Sequence, residues 1–154
     1  MKVKELMSTN ITCVSESTPA DQIALQMRKN DVGCMPVCDD AGHIKGIVTD
    51  RDLVIRCLAK AVAADENGKK AGSPGNTMLT AGEIMSLDPV TVSPDQNIHD
   101  AALLFSAHKI RRLPVTEASK IVGMLSLGDV AVKPVYIDEA GDALSAISIK
   151  PAGS

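Results

Sequence analysis

The chain has very few aromatic residues: Phe105 and Tyr136 are the only ones, and tryptophan is absent. Aromatic side chains are the platforms on which single-stranded bases stack. Basic residues are not in excess either, since the formal net charge is -3 at pH 7, and affinity for a phosphate backbone depends on Lys and Arg. The composition therefore predicts no nucleic-acid partner.

Long apolar runs are also missing. No stretch approaches the roughly 18 residues that a transmembrane helix needs. Residues 1–5 are mostly charged and lack the apolar stretch of a secretion signal. We therefore expect no membrane association and a cytoplasmic location, where thiols stay reduced.

Sequence signatures of catalysis are absent as well. The chain contains neither a Walker-type phosphate loop nor a recognisable nucleophile elbow. Its three histidines, His43, His99 and His108, fit surface positions better than the role of a general base. The prediction is a protein that is not an enzyme.

Cysteines occur only in the first half of the chain, at Cys13, Cys34, Cys38 and Cys57. On one strand Cys34 and Cys38 lie about 13 Å apart, too far to share a zinc ion. Free, mostly buried thiols and no metal site are the expectation. The alternative is a disulfide or metal pair between Cys13 and Cys38, which makes the protein a redox- or metal-responsive module.

What the chain does contain is a repeat. Met7 and Met85, like Val37 and Val115, are 78 residues apart, and apolar positions between them match. The paired segments are Met7-Ser8 and Met85-Ser86, Met35-Pro36-Val37 and Leu113-Pro114-Val115, and residues 46–52 and 123–129. The offset is 78 residues as far as Val37 and Val115 and 77 for the last pair of segments, after one deletion in the second copy. An offset preserved over so long a stretch indicates internal duplication.

Each copy is predicted to fold as strand, helix, strand, strand, helix. The predicted first strands are 11–15 and 89–93, and the hairpins span 33–49 and 112–126. Apolar residues at helical spacing mark the helix between them: Ala20, Ile23, Ala24 and Met27, then Ile98, Ala101, Ala102 and Phe105. The predicted organisation is a first domain over 3–62, a flexible linker over 63–79, a second domain over 80–132 and a tail over 133–154.

A hydroxyl and an acid recur where the last strand meets the following helix, as Thr49 with Asp52 and Ser126 with Asp129. Such a carboxylate can accept bonds from both hydroxyls of a ribose, beside free helix N–H groups. The same spacing is that of a capping box, which serves only to start a helix. Both interpretations remain open on spacing alone.

The copies differ in charge. The second copy has a basic cluster of His108, Lys109, Arg111 and Arg112 before Leu113-Pro114-Val115, whereas the first copy has Asn30, Asp31, Gly33 and Cys34 at those places. Guanidinium groups bind phosphate oxygens bidentately, although such a cluster can also be a solvated surface. Arg51 is a further candidate, at the position where the second copy has Gly128.

Residues 46–53 after Met35-Pro36-Val37, and residues 126–129 after Leu113-Pro114-Val115, resemble the cystathionine β-synthase (CBS) domain. The resemblance implies an α+β fold in which two tandem β-α-β-β-α units pack with pseudo-twofold symmetry as a Bateman module. It also implies an adenosine-containing ligand such as AMP, ADP or ATP, with S-adenosylmethionine or NAD as further ligands of the family.

Carried over by this resemblance, Asp52 and Asp129 hold ribose hydroxyls, and Thr49 and Ser126 contact ribose or phosphate oxygens. Arg51, His108, Arg111 and Arg112 are the phosphate candidates. The implied adenine slot is lined by Thr12, Val14, Met35, Val37, Val90, Val92, Leu113 and Val115.

The expected function is that of a non-catalytic regulatory module that binds an adenine nucleotide between its repeats. It forms a homodimer and signals to an unidentified protein partner by a conformational change. A purely structural dimerisation module, which keeps the helix caps and binds no ligand, is the other alternative.

Overall fold

The computed structural model describes residues 1–62 and 79–151, apart from the side chain of Ala61. The linker predicted over 63–79 lies outside the described residues except for Leu79, and so do the last three residues of the tail. The chain divides into two compact units. The first unit is Thr12–Asp88, and the second unit combines Met1–Ile11 with Pro89–Ser154.

The first unit is built on a hairpin that packs against one helix. Its elements in order are α1 (Ala20–Asn30), β1 (Cys34–Cys38), β2 (Ile44–Thr49), α2 (Asp50–Asp52), a π-helical stretch (Leu53–Leu58), α3 (Ala59–Val62), α4 (Ala81–Ile84) and β3 (Ser86–Leu87). The sheet order is β1-β2-β3, antiparallel throughout. Ile23 and Met27 of α1 lie in one buried cluster with Met35, Val37 and Val48 of the hairpin.

The second unit repeats this arrangement and adds a helix. Its elements are a 3₁₀ turn (Val3–Glu5), α5 (Ile98–His108), β4 (Arg112–Glu117), β5 (Lys120–Ser126), α6 (Leu127–Ala131), a 3₁₀ turn (Pro134–Tyr136) and α7 (Ile137–Ser148). β4 and β5 form an antiparallel hairpin. Its core joins Phe105 of α5 and Leu125 of β5 to Ala140 and Ala143 of α7.

The repeat sequence places equivalent backbone features in both units. α1 and α5 are each followed by a capping residue in the left-handed conformation, Asp31 and Lys109. Each hairpin also has a register shift near its end, between Val37 and Cys38 and between Val115 and Thr116. The duplicated sequence therefore produces a duplicated backbone, including its irregular positions.

The opening Met-Ser of each repeat packs on the hairpin of the other repeat. Ser8 forms a bridge with Met124 of β5, and Ser86 in β3 pairs with Ile47 of β2. The repeats are defined by similarity of sequence, whereas the compact units are defined by which residues pack together. Their boundaries differ because of these two Met-Ser segments.

Two expectations are corrected by the structure, and one region without a predicted element is now described. The segments 11–15 and 89–93 are not strands, because each makes only one bridge, Val14 with Val37 and Val92 with Val115. Ala24 is exposed, so the buried face of α1 is narrower than predicted. The tail, for which the sequence suggested no element, forms α7.

Candidate functional site

The hydroxyl-and-acid pairs form capping boxes in both units. The Ser126 N–H donates to Oδ2 of Asp129 (2.8 Å), and the Asp129 N–H donates to Oγ of Ser126 (3.0 Å). Thr49 and Asp52 make the same two bonds at 2.9 and 3.2 Å. These contacts satisfy free N–H groups at the start of α6 and α2. The capping role that the spacing suggested is therefore present in each unit.

The two carboxylates differ in what their second oxygen contacts. Oδ1 of Asp52 lies 3.6 Å from Nε of Arg56, and the Asp52 side chain is only 12% exposed. Arg56 is itself held by the carbonyls of Ile84 and Met85, at 3.0 and 3.3 Å. Within residues 1–62 and 79–151, no cation forms an ion pair with the partly exposed Asp129. Asp129 is thus the carboxylate better placed to accept bonds from a ligand.

A cavity of about 410 Å³ opens beside the start of α6 in the second unit. It is lined by Arg111, Arg112, Leu127, Gly128, Ala131, Ile137, Ala140, Gly141 and Leu144. Clefts that hold small organic ligands measure about 300–1,000 Å³ and are mostly apolar with a few polar groups. This cavity has that character, because aliphatic side chains and glycines form its walls and the two arginines supply its charge.

The two arginines are held by local backbone contacts and keep their charge unneutralised. The Arg111 carbonyl accepts a bond from the Leu127 N–H (3.0 Å), and Nη1 of Arg112 donates to the same carbonyl (3.2 Å). Both residues are exposed. No carboxylate forms an ion pair with either guanidinium in the part of the chain that the structure describes. An anionic group of a ligand is the natural counter-charge.

The other predicted phosphate candidates lie elsewhere. His108 is the last residue of α5 and Lys109 follows it; both are exposed and neither lines the cavity. Arg51 is exposed on the first turn of α2, where its N–H donates to Oδ1 of Asp50 (2.8 Å). The structure therefore separates Arg111 and Arg112 from the rest of the basic cluster.

The residues predicted to line an adenine slot are mainly core residues. Six of them are buried in the clusters of their own units: Val14, Met35, Val37, Val92, Leu113 and Val115. Only Thr12 and Val90 keep partly exposed side chains. At the six buried positions, backbone atoms are what a ligand can reach.

Cys13 and Cys38 lie together in the first unit, where the Cys13 thiol is exposed and Cys38 is buried. The bridge between Val14 and Val37 brings their chain segments together, and the interaction of the two thiols lowers the pKa of Cys13 and raises that of Cys38. No group of three or more His, Cys, Asp or Glu side chains that could hold a metal ion occurs within the described residues. Cys13 and Cys38 are therefore neighbours, as the alternative required, but they are not joined by the disulfide that it included.

Sequence reasoning missed the wall that α7 contributes to the cavity. Apolar residues recur along it at Ile137, Ala140, Leu144 and Ile147, a helical spacing that follows the turn at Pro134. Ala140 and Ala143 are buried against the second unit. The apolar spacing of this helix could thus have been recognised in the sequence, but the surface against which it packs could not.

The sequence model of the CBS domain family matches residues 3–58 and 81–136. The chain belongs to this family, and its two repeats are tandem CBS domains. It is 35% identical to the CBS domain-containing protein YhcV of Bacillus subtilis over 95% of this chain and 94% of that protein. No helix among the described residues is both long and apolar enough to span a bilayer.

Two solved structures are similar in fold and sequence. Hypoxic Response Protein I, solved with two coordinated zinc ions, is 28% identical, with a TM-score of 0.69 over 86% of this chain and 98% of that one. CBSX2, solved in complex with AMP, is 28% identical, with a TM-score of 0.68 over 89% of this chain and 98% of that one.

Proposed function

We propose that this protein is a non-catalytic regulatory module that binds an adenine nucleotide, AMP, ADP or ATP. The observation that carries the proposal is the cavity of the second unit, with Arg111 and Arg112 beside the capping box of Asp129. The AMP complex of CBSX2, a relative of the same family, supports the class of ligand. S-adenosylmethionine and NAD share the adenosine group and are the next ligands to compare.

The proposed contacts follow from charge and hydrogen-bonding capacity. Asp129 accepts bonds from the ribose hydroxyls through the oxygen that its capping bond leaves available. Arg111 and Arg112 bind phosphate oxygens, and Ser126 contacts the ribose or phosphate. Apolar side chains along the cavity, including Leu144, supply contact area without aromatic stacking.

The first unit is proposed as a weaker site or an empty one. Asp52 already has Arg56 as its counter-charge, so a ribose must compete for that carboxylate. Arg51 is the remaining cation near the motif that the resemblance implicates. We therefore expect one tight nucleotide site per chain, in the second unit.

Regulation is proposed to act through a population shift. A ligand changes a conformational equilibrium only by its difference in affinity between the two states. A homodimer that passes such a change to a protein partner, in a cytoplasmic setting, is the context we infer for the module. A structural dimerisation module without a ligand is the outcome that the following experiment separates from it.

The test is a thermal-shift series on the full chain with AMP, ADP, ATP, S-adenosylmethionine and NADH, and with GTP as the control. A ligand at 100 times its dissociation constant stabilises the native state by about 2.7 kcal/mol, so the melting temperature rises visibly. We expect a rise with adenine nucleotides and none with GTP. No rise with any adenosine compound would leave the capping boxes as caps alone and refute the proposal.

Asp129→Asn sharpens the test. The Asn side-chain carbonyl can still accept the capping bond from Ser126, so the melting temperature without ligand should change little. Loss of the carboxylate should weaken nucleotide binding about tenfold, because bonds to a charged acceptor are stronger than neutral ones. Asp52→Asn is the matched control, and we expect it to leave the affinity of the second unit unchanged.

A further inference from the structure

Two cysteines from distant parts of the sequence lie side by side in the first unit. Cys13 precedes Val14 and Cys38 follows Val37, and these two valines form a parallel bridge. The Val14 N–H donates to the Pro36 carbonyl (3.0 Å), and the Cys38 N–H donates to the Val14 carbonyl (2.9 Å). The backbone contacts that close this part of the unit therefore also hold the two cysteines together.

The side-chain directions bring the thiols to one face. Successive side chains of an extended chain point to opposite faces, and Val14 and Val37 both point into the core. Cys13 and Cys38 consequently share the other face. The register of the hairpin shifts between Val37 and Cys38, where Lys45 is the extra residue of the facing strand, and the two thiols shift each other's pKa.

The two thiols differ in reactivity. The hydrogen bond from Cys38 lowers the pKa of the Cys13 thiol to about 7. The same bond, together with burial and the nearby Asp39 carboxylate, raises the pKa of Cys38. A thiol with a pKa near ambient pH is the better nucleophile, and Cys13 is also the exposed member of the pair. An accessible attacking thiol thus lies beside a protected second thiol.

A metal site does not account for the pair within the described residues. A structural zinc ion takes four ligands, and no third His, Cys, Asp or Glu joins these two thiols there. Simple core packing does not require cysteine either. The equivalent positions of the second unit are Thr91 and Thr116, where the Val92 N–H and Thr116 N–H make the same two bonds, at 3.0 and 2.9 Å.

We propose that Cys13 and Cys38 are a reversible dithiol–disulfide switch, in which Cys13 attacks the oxidant and Cys38 resolves the intermediate. This function is independent of nucleotide binding. The oxidant class is a low-molecular-weight disulfide such as oxidised glutathione.

The reaction balances in two steps. The Cys13 thiolate attacks one sulfur of the oxidised disulfide, that S–S bond breaks, and one thiolate leaves. The Cys38 sulfur, having released its proton, then attacks the Cys13 sulfur of the mixed disulfide and expels the second thiolate. Two electrons pass from the cysteines to the oxidant, and the two protons from Cys13 and Cys38 are taken up by the two departing thiolates.

The test uses the full chain, reduced, freed of reductant and then incubated with oxidised glutathione. Free thiols are counted after unfolding, and disulfide-linked peptides are mapped by mass spectrometry. We expect two of the four thiols to be lost, one peptide joining Cys13 to Cys38, and full recovery with dithiothreitol. The melting temperature should rise by several degrees on oxidation, because the bond closes the chain between residues 13 and 38.

Controls come from the chain itself. Cys13→Thr with Cys38→Thr copies the second unit and should abolish both the linked peptide and the thermal shift. The peptide map of the unsubstituted chain decides the matter even if this variant folds poorly. A disulfide between any other pair, retention of all four thiols, or glutathione left attached to Cys13 without resolution would each overturn the proposal. Bound zinc that protects both thiols would overturn it as well.

Discussion

The two units share a backbone and differ in chemistry. Both have the helix-capping bonds, the hairpin with a late register shift and the valine bridge. Among the residues that the structure describes, the second unit has the cavity with Arg111 and Arg112, whereas the first has the Cys13–Cys38 pair and an ion pair on its capping acid. The residues that the fold requires are thus retained in duplicate, and positions on which the fold does not depend carry different functional groups.

The fold's requirement for the same residue in both units is clearest at the two glycines that face the Met-Ser segments. A methyl group on Gly46 would lie 2.6 Å from Sδ of Met85 and 2.7 Å from the Ser86 carbonyl oxygen. On Gly123 it would lie 2.6 Å from Sδ of Met7 and 3.1 Å from the Ser8 carbonyl oxygen. Close approach of the backbone explains glycine at both positions.

Removing the charge of the cavity is expected to have the largest effect. Arg111→Ala with Arg112→Ala deletes two charge-assisted contacts to phosphate, each of which contributes about 1.5–3 kcal/mol. Nucleotide affinity should therefore fall by at least a hundredfold in isothermal titration calorimetry. Arg51→Ala, in the first unit, is the matched control and should leave this affinity within about twofold. Equal losses in both variants would show that the units do not differ in the way described.

The glycine substitutions come next. They compare how closely the Met-Ser segment approaches the hairpin in each unit. Gly46→Ala should lower the free energy of unfolding by about 2–3 kcal/mol, because the added methyl group meets a carbonyl oxygen that cannot move alone. Gly123→Ala should cost about 1 kcal/mol, since its contact with backbone is longer. Chemical denaturation measures both values.

Gly141→Ala in α7 is the control for those two variants. Nothing lies within 4 Å of a methyl group at this position, and alanine favours a helix more than glycine does by about 1 kcal/mol. It should be neutral or stabilising. A loss like that of Gly46→Ala would mean that glycine replacement itself, and not close approach, is what destabilises the chain.

The pH dependence of thiol alkylation distinguishes Cys13 from an ordinary cysteine. Its thiolate is the reactive form, so the alkylation rate should rise with pH and reach half its maximum near pH 7, the pKa that the Cys38 hydrogen bond produces. Cys38→Thr removes that thiol, and the midpoint should move upward, toward the ordinary value of 9.0. At pH 6 the variant should be alkylated about tenfold more slowly than the unsubstituted chain, because less of its Cys13 is thiolate. The greater nucleophilicity of the more basic thiolate offsets part of that lower population. An unchanged midpoint would contradict the assigned cause.

The smallest expected effect concerns the capping acids. Asp52→Asn breaks the contact with Arg56, which is half exposed, and should cost about 1 kcal/mol of unfolding free energy after allowance for solvent screening. Asp129→Asn keeps its capping bond and should cost only a few tenths of a kcal/mol. Paired denaturation curves compare them. A larger loss for Asp129→Asn would reverse the assignment of Asp129 as the carboxylate available to a ligand.

Much of the fold was predictable because its signals are local. Turn-prone residues between apolar runs predicted both hairpins, which the structure confirms over Cys34–Thr49 and Arg112–Ser126. The segments around Val14 and Val92 were mistaken for strands. Their apolar residues reflect a single buried valine in each, since only that residue bonds to the neighbouring hairpin.

The candidate site was predictable only in part. The hydroxyl-and-acid spacing indicated the capping boxes, and the basic cluster before Leu113-Pro114-Val115 contained the two arginines. The role of buried residues such as Met35 and Leu113 in a ligand slot stays a prediction. A buried position and a ligand-lining position are both apolar, so composition cannot distinguish them.

The sequence by itself determined the duplication, the CBS family, the hairpins and the helix caps, because each depends on residues close in the chain or on a repeated pattern. Tertiary structure alone decided that Met7 packs on Gly123 and that α7 forms one wall of the cavity beside Arg111. It also decided that Arg56 forms an ion pair with Asp52. It also brought the chain segments of Cys13 and Cys38 together, which the sequence had left as one alternative. These outcomes depend on which distant surfaces meet, and that is settled by the packing of the whole unit and not by any local stretch of sequence.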